Sequence, residues 1–409
     1  MEEFKTYTLE ELSLNKGTYG IAASAVPYDD SKLTYLRITD INDDGTLNTQ
    51  SLMSVDEPNA SDYLLKKNDI VFARTGNSTG RTYFYQGNEC PLVYAGFLIK
   101  FSIDEKKVNP LLLKYYTHSR IYYDWVKSFD TGGTRGNINA KTYGNMPIRI
   151  PASRKTQDKI VDILSSLDEK IALNRRINDN LEQQAQALFK SWFVDFEPFK
   201  DGKFVDSEMG MIPEGWKVVQ LGEIIEISKR IINPQKNPDK IFYHYSLPAC
   251  DNGLIPEIQS GKDIMSNKII LQNNTILFSK LNPRIKRIWF ACDVLNDSIC
   301  STEFIPYRAK NERESVYIYS IINSDSFYAS VLGCVNGATG SHQRFHAEDT
   351  LGLLFPYKKD IVDKYIDLVK PVLAEIHKLR IENKTLALTR DSLLPRLMSG
   401  ELKFNDLNN

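Results

Sequence analysis

Residues Asn68 to Arg81 read NDIVFARTGNSTGR, and 206 positions further on Asn274 to Arg287 read NTILFSKLNPRIKR. Each stretch runs from an asparagine through a short apolar segment into a basic turn marked by glycine or proline, the pattern of a buried strand ending in a loop. One such match arises easily by chance, so the flanking windows decide. Leu12 in YTLEEL answers Ile224 in VQLGEI at an offset of 212, and Tyr35 to Gly45, YLRITDINDDG, answers Tyr243 to Gly253, YHYSLPACDNG, at 208. Gly132 to Pro151, GGTRGNINAKTYGNMPIRIP, answers Asn336 to Pro356, NGATGSHQRFHAEDTLGLLFP, both ending in proline at 205. The windows keep their order while the offset drifts slowly, which is what a few loop insertions do to a duplicated unit.

A helical pattern follows each closing proline. Ile160, Leu164, Leu167, Ile171, Asn174, Asn178, Leu181, Ala185, Leu188 and Trp192 fall at alternating spacings of four and three, a sustained seven-residue repeat with a narrow apolar seam. Tyr365, Val369, Val372, Ile376, Leu379, Asn383, Leu386 and Leu393 continue the same kind of pattern in the second half. Such a helix of about 28 residues spans roughly 40 Å, more than one small domain needs for cover. Pro371 is expected to break the second helix into a short and a long piece, because an interior proline loses a hydrogen bond and clashes with the preceding turn. Asn178 and Asn383 occupy equivalent seam positions; either they fix register, or they lie at the seam edge in water.

The bulk composition is compatible with this organisation. The 409 residues exceed what one hydrophobic core usually serves, and 42% apolar with 25% charged residues is the balance of a folded, soluble chain. The opening MEEFKTYTLEEL is acidic and polar, unlike a signal peptide, and no window approaches a membrane span, so a cytoplasmic location is expected. The five cysteines, Cys90, Cys250, Cys292, Cys300 and Cys334, show no Cys-x-x-Cys and no neighbouring His-x-x-x-His. They read as buried or unpaired thiols, with no metal expected. His342 and His346 likewise read as a surface pair. The formal charge of −1, from 51 basic and 52 acidic residues, does not advertise affinity for polyanions, so any nucleic-acid surface has to be local.

Four stretches carry a family resemblance: IPEGWKVVQLGEI (Ile212 to Ile224), NDIVFARTGNSTGR, the helix opening RKTQDKIVDILSSLDEKI, and the closing LLPRLMSGELKF (Leu393 to Phe404). Together, and in this tandem order, they resemble Type I restriction-modification DNA specificity subunits over nearly the full length. The resemblance implies an α+β fold in which two pseudo-symmetric globular α/β target-recognition domains are separated by two long antiparallel helices forming a coiled-coil spacer. The expected boundaries are 1–152 for the first recognition domain, 153–195 for the first long helix, 196–215 for a linker, 216–357 for the second recognition domain and 358–409 for the C-terminal helices. It also implies that each domain reads one half of a bipartite, asymmetric site in double-stranded DNA, while the helices fix the gap. The implied partners are two modification methyltransferase subunits and the restriction or translocase subunits. S-adenosylmethionine, ATP and magnesium would belong to those partners, and none is expected as a cofactor here.

DNA contact needs cations for phosphates and forked donors or amides for base edges, presented on loops. From Ile70 to Asn88 and from Thr131 to Ile150 there is no acidic residue. These windows offer Arg74, Thr75, Asn77, Ser78, Thr79 and Arg81, then Thr134, Arg135, Asn137, Asn139 and Lys141. Their repeat partners, Ser279 to Cys292 and Val335 to Ala347, are also free of acid and offer Lys280, Arg284, Lys286 and Arg287, then Thr339, Ser341, His342, Gln343 and Arg344. The alternative for any single arginine is a solvated turn residue, and for the glycines Gly76 and Gly80 a purely backbone role. The first turn is glycine-rich and the second is proline-bearing and more basic, as two domains reading different sequences would be.

No catalytic residue is expected. An adenine methyltransferase needs an Asn/Asp-Pro-Pro-aromatic tetrad and a nucleolytic motor a Gly-x-x-x-x-Gly-Lys-Ser/Thr loop, and neither motif occurs. Only structural and loop residues match between the halves, whereas a duplicated active site would repeat its acid, base or nucleophile. Two other readings remain at this level: a structural adaptor that grips proteins, and an enzyme of unfamiliar type.

Overall fold

In the computed structural model, which describes residues 3–87, 90–129, 137–334 and 344–402, the repeat is visible first in the backbone. Asn68 (φ 70°) and Asn274 (φ 57°) both take the left-handed conformation, which asparagine tolerates better than most residues. Each turns the chain into a central strand, Asp69–Ala73 or Thr275–Ser279, buried along its whole length. In the first half this strand lies in an antiparallel sheet ordered Thr18–Tyr19, Leu98–Ser102, Asp69–Ala73, Thr82–Tyr85. The second half repeats it as Ile225–Ile227, Phe304–Ala309, Thr275–Ser279, Ile288–Ala291.

A second sheet in each half is built on a parallel pair, Leu33–Leu36 with Leu92–Tyr94 and Ile241–Tyr245 with Ser298–Ser301. A two-stranded ribbon then closes each half, Phe4–Thr8 with Pro147–Pro151 and Lys217–Gln220 with Leu354–Tyr357. The proline seen in the sequence at each closing thus lies within the last two residues of a ribbon strand, just before a long helix begins.

Those helices are Arg154–Phe193, with 40 residues, and Lys359–Ser399, with 41, each about 60 Å long at the usual rise. The chain divides into two compact units, residues 1–171 with 385–409, and residues 172–384. The fold is α+β, and each unit contains a piece of both long helices. In the first unit Ile160, Val161 and Leu164 of one helix and Leu394, Leu397 and Met398 of the other enter a single core with Leu9, Phe72, Leu112 and Ile148. In the second, Ala185, Phe189 and Phe193 meet Tyr365, Val369 and Ile376 in a core with Ile276, Tyr307 and Ile321. Early residues of one helix face late residues of the other in each unit, so the helices run antiparallel. The segment 196–215 carries its own ribbon, Phe204–Val205 with Ile212–Pro213, and Phe196 and Phe199 pack edge-on against Trp216.

The heptad seam is the buried stripe: Ile160, Leu164, Ile171, Asn174, Asn178 and Ala185 are buried on the first helix, and Tyr365, Val369, Ile376 and Leu379 on the second. Its polar contact is made by Asn174, whose Nδ2 donates to Glu382 Oε2 and to Asn383 Oδ1, both at 3.0 Å. Asn178 is buried one turn further on, and Asn383 is half-buried. Register is therefore read by Asn174 against Asn383, not by Asn178.

The expected break at Pro371 is absent, because the second helix runs through it. Both Pro371 and Asp367, whose carbonyl loses its donor, are exposed and so lie on the solvent side of the helix. The flanking Val369, Leu373 and Ile376 are buried, and their burial offsets the cost of an interior proline, about 3 kcal/mol.

In the first unit the two helices are braced by Asp168, which accepts from Lys114 Nζ at 3.0 Å, Tyr115 Oη at 3.0 Å and Arg390 at 2.8 Å. Burial works to raise the Asp168 pKa, but Lys114 and Arg390 outweigh it and hold the carboxyl below its ordinary value. A carboxylate with a depressed folded pKa contributes stability that is complete above the unfolded value and is lost as pH falls through the folded one. Asp168→Asn is accordingly expected to lower the urea midpoint at neutral pH, and the gap to the wild type is expected to close as the solution is acidified through the aspartate range. A gap independent of pH would show that the ion pairs contribute nothing.

Candidate nucleic-acid interface

The two loops that follow the central strands share several backbone features despite their different sequences. Gly76 (φ 74°) and Asn282 (φ 54°) stand 206 positions apart and share the left-handed conformation. Thr79 N donates to Gly76 O at 3.1 Å, and Ile285 N to Asn282 O at 2.9 Å. At the root, Ala73 N meets Arg81 O at 2.8 Å and Ser279 N meets Arg287 O at 3.0 Å. The following residues also correspond, since Arg74 N donates to Phe97 O at 3.1 Å and Lys280 N to Glu303 O at 2.9 Å. Gly80 (φ 88°) is required twice over, by its backbone and because a Cβ there would sit 2.7 Å from Val126. A Cβ on Gly76 would meet nothing, so its conformation alone selects glycine.

Each loop is paired with the second candidate window of its own half. An isolated bridge joins Thr75 to Asn137, and its counterpart joins Leu281 to Arg344. The windows that the sequence marks as repeat partners are thus brought together within each unit. Thr134, Arg135, Thr339, Ser341, His342 and Gln343 lie outside the described residues.

The candidate side chains divide by what already holds them. Arg81 donates to Asp43 Oδ1 at 2.7 Å and to Ile41 O at 3.1 Å, and Arg287 forks onto Asp251 at 2.6 and 2.9 Å. These two arginines are repeat partners, and so are their acids, so both act as clamps at the loop root. Arg344 is paired with Glu303 at 3.0 Å. Lys286 is turned to the helical side, where its Nζ donates to Asn323 O at 2.7 Å and lies 5.5 Å from the Tyr328 ring centre; burial lowers its pKa. Ser78 is buried, and Asn139 caps the helix Ala140–Gly144 by accepting from Thr142 N at 2.9 Å. Thr79 gives its hydroxyl to Gly76 O at 2.8 Å.

What remains presented in the first unit is Arg74 with exposed Asn77, Asn137 and Lys141. Arg74 lies over the Tyr19 ring at 4.9 Å, with one terminal nitrogen 3.5 Å from Asn137 Oδ1. In the second unit it is half-buried Lys280 and exposed Arg284, for which no ion pair occurs among the described residues.

Sequence reasoning missed Tyr19, which carries the Arg74 guanidinium and accepts from Ala140 N at 3.1 Å, and Phe97, a 59% exposed aromatic beside it. It also missed Asp43, Asp251 and Glu303. A window free of acid along the chain is not free of acid in space, because a carboxylate can arrive from another segment. The signal for the clamps was present in the repeat itself, since Asp43 and Asp251 correspond at the same 208 offset as Tyr35 and Tyr243.

Burial and a buried hydrogen bond fix the first loop from below: Tyr122, with no exposure, donates its hydroxyl to Gly80 O at 2.7 Å. Tyr122→Phe leaves that carbonyl unpaired in the core and is expected to cost about 1 to 3 kcal/mol in urea unfolding. A cost below about 0.5 kcal/mol would mean that the hydroxyl does not hold the loop.

A family model described as the Type I restriction modification DNA specificity domain matches residues 1–183. The chain is 27% identical over 311 residues to the specificity subunit of the Type I restriction enzyme MjaIX of Methanocaldococcus jannaschii, covering 72% of this chain and 69% of that protein. It is 30% identical over 205 residues to the HindI specificity subunit of Haemophilus influenzae, covering 49% of this chain and 43% of that one. In fold it is similar to the S subunit of a Type I restriction-modification system from M. genitalium, with a TM-score of 0.55 at 15% identity over 97% of this chain and 96% of the other.

Proposed function

We propose, because this chain belongs to the family of Type I restriction-modification DNA specificity subunits, that its two units are the readers of one bipartite, asymmetric DNA target. Each unit reads one half of the site in double-stranded DNA. The long helices set the number of unread base pairs between the halves and dock the modification methyltransferase subunits, two of them, together with the restriction subunits. Those partners bring S-adenosylmethionine, ATP, magnesium and the chemistry on adenine, while this chain brings recognition in the cytoplasm.

One observation carries the reading. The same loop root, clamped by the same arginine and acid and followed by a left-handed residue at the same place, is presented twice with different side chains at its tip. A protein that reads an asymmetric sequence needs that combination, since contacts to the phosphates position it and contacts to base edges specify. In the first loop Arg74, held over Tyr19 beside Asn137, supplies a forked donor and a neighbouring amide, the pair suited to guanine and adenine edges in the major groove. In the second, Lys280 and Arg284 supply charge without that stacked support. Thr75, Asn77 and Lys141 flank the first cluster, and the windows holding Thr134, Arg135, Thr339, Ser341, His342 and Gln343 complete the two surfaces.

The test is selection from random duplexes by the chain together with its methyltransferase partner. One split sequence should be enriched, with binding that falls steeply as salt rises; enrichment of no sequence would leave a protein-gripping adaptor. Arg74→Ala should weaken one half-site by about 1 to 3 kcal/mol while sparing the other, and an equal loss on all sequences would place Arg74 on phosphate. Lengthening both long helices by one heptad at matched positions adds about 10 Å, so the preferred gap should grow by about three base pairs with both half-sites unchanged. A gap that stays the same would refute the ruler.

A further inference from the structure

In the second unit, the turn after the strand Ile288–Ala291 faces the second long helix through three residues of metal-binding type. The Cys292 thiol, an Asp293 carboxylate oxygen and a His377 ring nitrogen all lie within 4.8 Å of one another, and His377 Nε2 is 4.0 Å from Asp293 Oδ2. Cys292 and His377 are half-buried and Asp293 is exposed. Asp293 sits at φ 55°, and this left-handed turn lets two consecutive residues offer ligands to the same point instead of to opposite faces of a strand. We propose that Cys292, Asp293 and His377 form a site for one borderline-soft divalent cation of the zinc class, with a fourth position left for water.

Tetrahedral zinc with sulfur, nitrogen and oxygen ligands holds its donor atoms about 3.3 to 3.8 Å apart. The triangle needs only to contract by side-chain rotation, and the exposed Asp293 is free to swing. The donor set is selective. A thiolate with an imidazole disfavours magnesium and calcium, which want oxygen, and three protein ligands with one open position is a common zinc arrangement. The charge balance also permits a cation, because Arg380, one turn along the same helix, is already held by Glu182.

The site belongs to the second unit alone. At the repeat offsets of 206 and 205, the corresponding residues in the first half are Gln86, Gly87 and Ala172, none of which supplies a comparable ligand. A bound cation would tie the outer hairpin of one reader's sheet to the helix at its base, where the other reader relies on packing.

Cobalt(II) is the probe, added to the full chain after it has been stripped of metal. One equivalent should bind and produce a thiolate-to-cobalt charge-transfer band with visible bands of tetrahedral intensity, and zinc should displace it. Cys292→Ser should abolish the charge-transfer band. His377→Ala and Asp293→Asn should each weaken binding on the order of ten-fold or more, since even outer-shell losses reach that size. Cys90→Ser, at an exposed thiol elsewhere, should change nothing. Asp293 is exposed, so its substitution keeps the test decisive if Cys292→Ser melts early. Absence of the band in the wild-type chain, its survival in Cys292→Ser, or unchanged affinity in both other variants would overturn the proposal.

Discussion

The core of the first unit is closed by residues that arrive from the far end of the chain. Leu394, Leu397 and Met398 stand among Leu9, Phe72, Leu112 and Ile148, so the core begun by the first 150 residues is completed only when the second long helix is in place. The second unit has the reciprocal need, met by Ala185, Phe189 and Phe193. Helix ends that are part of a core cannot tilt independently of the sheets they cover, because close-packed interiors transmit displacement instead of absorbing it. Each unit is therefore fixed to its own piece of both helices by burial, and the Asp168 brace and the Asn174 contact refine a geometry that packing has already imposed.

How far this could be read from the sequence depends on which force chose each residue. Strands buried on both faces must be continuous and largely apolar, and a left-handed residue is most readily glycine or asparagine. DIVFA with TILFS, and Asn68 with Asn274, are therefore legible from the chain alone. The seam is legible for the same reason, since burial selects Ile160, Leu164 and Ile376 at helical spacing. Long-range polar pairing leaves a weaker mark. Nothing local to Arg81 announces Asp43, or local to Arg344 announces Glu303, because the partner is chosen by the folded sheet and not by the neighbouring residues. Pro371 misleads for a related reason: the rule against interior proline weighs one turn, whereas the helix weighs that turn against the burial on either side of it.

The mixed legibility of the candidate interface has a physical meaning. The loop roots are conserved between the two halves of this chain as hydrogen bonds and ion pairs: Ala73 with Arg81 and Ser279 with Arg287, Arg81 with Asp43 and Arg287 with Asp251. The tips differ, with Asn77 and Ser78 of the first standing opposite Pro283 and Arg284 of the second. A loop whose backbone is held at its root tolerates substitution at its tip without losing its shape, which separates what the protein needs for stability from what it needs for recognition.

Beside the tip the same backbone slot carries Phe97 in one half and Glu303 in the other. The first adds an exposed aromatic side chain next to the strand end that carries Arg74, whose guanidinium lies over Tyr19. The second spends Arg344 on a carboxylate, which leaves Lys280 and Arg284 without an ion pair among the described residues. One scaffold thus offers two chemically unlike faces, because what holds the loop in place is not what the loop displays.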